Sequence, residues 1–107
     1  MTKMTKVALS AIVLISMSAV SANATVAKGQ KLYLKKLKGA CGMMGADMAK
    51  KHSMGEWEHI HKNGNLAKEI KTICPKAKDS ALKEKFIPHY YDFFKEYAND
   101  SGNIPAC

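Results

Sequence analysis

The chain reads as an all-α protein, a small bundle of four to five short helices behind a cleavable leader. Three observations predict this. Apolar residues after position 25 recur at helical spacing, and no run alternates with a period of two. β-branched residues are sparse. Residues that start and stop helices bracket the periodic stretches: Ser53, Asn65 and Asp79 ahead of them, Gly64 and Pro75 behind.

The leader comes first. Lys3 and Lys6 form a basic start, Val7 to Val20 is an apolar run, and Ala22-Asn23-Ala24 is a small-x-small cleavage site. Residues 1–24 therefore read as a signal peptide and residues 25–107 as one small domain with a thin core. The apolar run is short for a bilayer span, and no later segment is apolar enough to be one. Export predicts a periplasmic or secreted location.

The elements follow in order. From Val26 to Ala40, Val26, Tyr33, Leu37 and Ala40 share one helical face, with Leu34 flanking. Lys28, Lys31, Lys35 and Lys38 form a ridge on the opposite side. Gly39, Gly42 and Gly45 interrupt this helix, and a short one is expected from Ala46 to His52. Ser53-Met54-Gly55-Glu56 matches a capping box, which starts a helix carrying Trp57, Ile60 and His61 on one face. Gly64 ends it as a C-cap. Asn65 is expected to cap a helix from Leu66 to Cys74, stopped by Pro75. A last helical region follows Asp79, with Pro88 near the first position of the final helix. Its aromatic stripe is Phe86, Tyr90, Phe93 and Tyr97, most simply read as core.

The charge is lopsided. The formal net charge is +8, and losing the two leader lysines leaves +6. Residues 25–51 hold seven lysines against one acid, while residues 52–107 hold eight against eight. The whole excess lies around the first helix. The chain has no arginine, the residue that makes bidentate contacts to phosphates and bases, so nucleic acid is a poor partner. An acidic protein or an anionic membrane surface fits better.

Three cysteines, Cys41, Cys74 and Cys107, lie in the exported part, where disulfides persist. An odd count leaves one thiol over, and all three pairings are open. Cys74–Cys107 is preferred as a staple for the C-terminus, closing a loop of just over thirty residues.

The stretch Gly29-Gln30-Lys31-Leu32-Tyr33, followed by Gly42 and Gly45, resembles the opening of a small class I cytochrome c domain. That family often begins G-x-x-L/I-Y and continues C-x-x-C-H-G-x-x-G. The resemblance spans residues 28–64, with a compatible final helix. It implies a compact cytochrome c-like helical fold, its last helix packed across its first, and a periplasmic electron carrier. On this frame the haem-linking cysteines fall on Leu37 and Ala40, and the axial histidine falls on Cys41. Leucine and alanine form no thioethers, so covalent haem through a CxxCH motif is excluded. A haem held otherwise would draw on Cys41 as a thiolate, with His52 or His61 opposite. No methionine follows Met54 to act as a distal sixth ligand.

A copper site is the rival. On one continuous helix Cys41, Met44, Met48 and His52 would share a face, and thiolate, thioether and imidazole ligands suit Cu(I). HExxH, CxxC, GxSxG and phosphate-binding glycine loops are missing, so no enzyme is expected. The expected function is an exported cytochrome c-like carrier or accessory in electron transfer. It would dock an acidic periplasmic redox protein through Lys28, Lys31, Lys35 and Lys38. A cofactor-free, disulfide-stabilised binding module and a periplasmic copper carrier are the alternatives.

Overall fold

The computed structural model describes residues 25–103. The expected leader, residues 1–24, and Cys107 lie outside them. The described residues form five helices and one 3₁₀ turn, with no strand among them. No helix among them is long and apolar enough to cross a membrane.

Helix α1 covers residues 25–41. Its middle, Tyr33–Leu37, is π-helical, and Lys38–Cys41 returns to α. The sequence pattern supplies a reason. Gly29, Tyr33 and Leu37 are buried and stand four residues apart. At about 100° per residue such a stripe drifts around a straight α-helix. A π turn, closed by i→i+5 bonds, rotates less per residue and keeps all three against the core. Gly42, at φ 66°, ends α1. The Tyr33 hydroxyl donates to the Met43 carbonyl at 2.8 Å and ties the following turn down.

Helix α2 is Gly45–Ala49. It stops three residues short of the expected His52, because the chain there turns toward the C-terminal end: Asn99 N–H donates to the His52 carbonyl. Helix α3, Met54–Lys62, carries the full capping box. Glu56 N–H donates to Ser53 Oγ at 3.1 Å, and Ser53 N–H donates to Glu56 Oε1 at 2.8 Å. That backbone donor, with smaller help from the Ser53 hydroxyl and His52, holds the Glu56 carboxyl below its usual range. Gly64 follows the helix at φ 73°.

Helix α4 is Leu66–Ile73. Asn65 makes no side-chain cap: its backbone is not in the extended conformation that aims a capping oxygen at the helix. Cys74 and Pro75 end the helix. A 3₁₀ turn, Asp79–Ala81, leads to α5, Ile87–Glu96, with Pro88 in its first turn.

Helix α5 is the hub and packs on α2, α3 and α4. It also crosses α1 at Gly29, where an added Cβ would stand 2.0 Å from the His89 carbonyl oxygen. Side chain there would push the helices apart. Tyr33, Leu37, Met48, Trp57, Ile70, Tyr90, Phe93 and Phe94 are completely buried. Trp57 lies 4.8 Å from Phe94, ring to ring. Its indole N–H donates to the Ala49 carbonyl at 2.8 Å, satisfying the end of α2. The Tyr90 hydroxyl donates to the Ala81 carbonyl at 2.8 Å, and burial pushes its pKa up to about 12.

The disulfide joins Cys41 to Cys74, with Cα atoms 5.0 Å apart, and so corrects the preferred Cys74–Cys107 pairing. The bond ties the end of α1 to the end of α4. Cys74 stands 33 residues from each alternative partner, so loop-closure entropy cannot choose between them.

Candidate functional site

The lysine ridge is present and free. Lys28, Lys31, Lys35 and Lys38 are all exposed on α1. Among the described residues the Lys–carboxylate ion pairs are Lys71–Asp79 and Lys95–Glu58, and none involves the ridge. Four ammonium groups thus share one helix without internal neutralisation. Lys38 also stands in the last turn of α1, near its carbonyl end, where positive charge is favoured.

The ridge ends on an apolar depression of about 560 Å³ lined by Leu34, Met43 and Met44, with Lys38 and Asp47 beside them. Leu34 is 39% exposed and Met44 40%. Leu34 flanks the buried stripe of α1 without joining it. Met44 is lifted into solvent because it is the extended residue before α2. An apolar centre beside unpaired cations is the arrangement a docking surface needs.

The candidate ligand residues are not brought together. The Cys41 sulfur is bonded to Cys74, which removes it as a thiolate ligand while the disulfide is intact. Gly42 breaks the helix that would have aligned Cys41, Met44, Met48 and His52. Met48 is fully buried in the core, whereas Met44 faces solvent. His52 is held by others: Nε2 lies 2.8 Å from Glu69 Oε2, Nδ1 3.7 Å from Glu56 Oε1, and its ring stands edge-on to Trp57 at 4.7 Å. His61 stacks on Tyr91 at 4.1 Å. Among the described residues no three His, Cys, Asp or Glu side chains gather as a metal site.

The haem-attachment frame does not fit its group either. Leu37 is completely buried beneath α1, and Cys41 is spent in the disulfide. Trp57, Tyr33, Phe93 and Phe94 fill the interior between α1, α3 and α5. A macrocycle lodged there would displace them.

Two features lie outside the sequence reading. Lys36, outside the ridge, sits over the Phe86 ring at 5.1 Å, a cation–π contact no local pattern announces. His89, at the α1–α5 crossing, keeps its Nδ1 buried without a hydrogen-bond partner. No family model, curated protein or solved structure matches this chain.

Proposed function

We propose that this is an exported docking protein, a cytochrome c-like accessory in electron transfer that binds an acidic partner through the lysine face of α1. The observation that carries the reading is the unneutralised row Lys28, Lys31, Lys35 and Lys38, all exposed and none paired with a carboxylate among the described residues. The apolar depression at Leu34, Met43 and Met44 supplies the uncharged part of the contact. Long-range attraction steers the partner, and removal of the apolar surface from water holds it. The electron-transfer assignment rests on the sequence resemblance of residues 28–64. Export rests on the Lys3–Ala24 leader pattern.

The filled core and the disulfide favour a protein that works without haem of its own, so the cofactor-free binding module is the nearest alternative. Both readings share the docking face. Carbodiimide cross-linking in the native cells tests them, since it joins lysine amines to carboxylates in direct contact. Docking predicts links from Lys28, Lys31, Lys35 or Lys38 to an acidic redox protein. Links to an acidic protein without a redox centre support the binding module instead. Links confined to lysines elsewhere, such as Lys62 or Lys95, overturn both.

A further inference from the structure

A second basic feature lies beside the ridge, on the other side of Gly39. Lys35 and Lys36 of α1 line a bowl of about 300 Å³ with Ser80 of the 3₁₀ turn and Lys78 just before it. Among the described residues no carboxylate lines it. Asp79, next to both Lys78 and Ser80 in sequence, is turned away to pair with Lys71. Three lysines and a hydroxyl therefore border one concavity with no carboxylate from the described residues.

Such a grouping is electrostatically unfavourable when empty, and it is held in place covalently. The Cys41–Cys74 bond joins the end of α1, one wall, to the start of the segment that carries Lys78 and Ser80, the other wall. The Lys36 ammonium is further held over Phe86 at 5.1 Å. Gly39 lines the bowl as well, and a Cβ built there meets no atom within 4 Å. Packing does not demand this glycine, but a side chain would narrow the mouth.

We propose that this bowl is a binding site for a small oxyanion carrying two negative charges. Lys35, Lys36 and Lys78 would neutralise the charge, and the Ser80 hydroxyl would donate a hydrogen bond. Phosphate and dicarboxylate share this chemistry. The site does not depend on partner docking through α1, although Lys35 belongs to both surfaces.

The test is amide NMR of the isotope-labelled chain with its disulfide intact. It is titrated separately with inorganic phosphate and with succinate, against sodium chloride at matched ionic strength. The expected result is a saturable shift of the Gly39, Ala40, Ser80 and Ala81 resonances. The affinity should fall at least tenfold in the Lys36→Gln/Lys78→Gln double variant, which spares the four ridge lysines. It should be unchanged in Lys51→Gln/Lys62→Gln, an equal charge loss elsewhere. Tighter binding of phosphate identifies a phosphate-type ligand, and tighter binding of succinate a dicarboxylate. Shifts that chloride reproduces, or that survive in the Lys36/Lys78 variant, overturn the proposal.

Discussion

The same substitution at two glycines of one helix should act in opposite directions. At Gly29 an added Cβ would stand 2.0 Å from the His89 carbonyl oxygen, 2.7 Å from its carbon and 2.9 Å from Phe93 Cβ. Ordinary contact begins near 3.4 Å, so α5 must retreat by about 1.4 Å. The obstacle is backbone, which no rotamer change relieves. Overpacking of this kind costs about 3 kcal/mol at the upper end of its usual range. Alanine returns about 1 kcal/mol as the better helix former, leaving Gly29→Ala less stable by about 2 kcal/mol. For a domain this size that lowers Tm by roughly 8–16 °C. At Gly39 a Cβ meets nothing within 4 Å. Only the propensity term remains, so Gly39→Ala should gain about 0.5–1 kcal/mol and raise Tm by a few degrees. Circular dichroism melts of both variants, with the disulfide intact, provide the assay. A Gly29→Ala protein as stable as the parent would refute the close α1–α5 crossing. A destabilised Gly39→Ala would refute the open environment assigned to that position.

Other outcomes follow from the same contacts. Peptide mapping without reduction should recover Cys41 linked to Cys74, and Cys41→Ser/Cys74→Ser should lose roughly 3–4 kcal/mol, the loop-closure value for a 33-residue separation; a Cys74–Cys107 peptide would overturn the pairing. Tyr90 has its folded-state pKa raised from 10.0 to about 12, so its contribution is whole below pH 10 and is lost as pH rises through 12, roughly 2–3 kcal/mol in all. Denaturant titrations at pH 9 to 12 should therefore fall less steeply for Tyr90→Phe than for the parent, and parallel curves would remove burial as the cause. Ser53→Ala should cost about 1 kcal/mol in urea unfolding by removing the Oγ acceptor of the α3 cap; no change would mean that the Asp100 carboxylate, which accepts from Met54 N–H at 2.9 Å, already suffices.

Apart from the Asn65 cap, local chemistry was readable in advance and tertiary chemistry was not. The Ser53–Glu56 box, the turn at Gly64, the stop at Pro75 and the place of Pro88 need only neighbours in sequence, and they stand where the pattern puts them. The π turn in α1 goes with the burial of Gly29, Tyr33 and Leu37 together, and their spacing alone does not tell which of them α5 covers. Phe94 stands outside the stripe Phe86, Tyr90, Phe93 and Tyr97, yet it is completely buried because Trp57 and Tyr33 close over it. The site divides the same way. Exposure of Lys28, Lys31, Lys35 and Lys38 follows from helical spacing. Lys36 and Lys78 line one bowl whose two walls the Cys41–Cys74 bond joins, and equal spacing on either side of Cys74 hides that bond.

Docking by the α1 lysine face is tested most directly by association kinetics with the cross-linked partner over a range of ionic strength. The parent should associate fast at low salt and slow steeply as salt screens the ridge. Lys28→Gln/Lys31→Gln/Lys35→Gln/Lys38→Gln should be slow and nearly insensitive to salt. A quadruple variant with the parent's rate and the parent's salt dependence would contradict it.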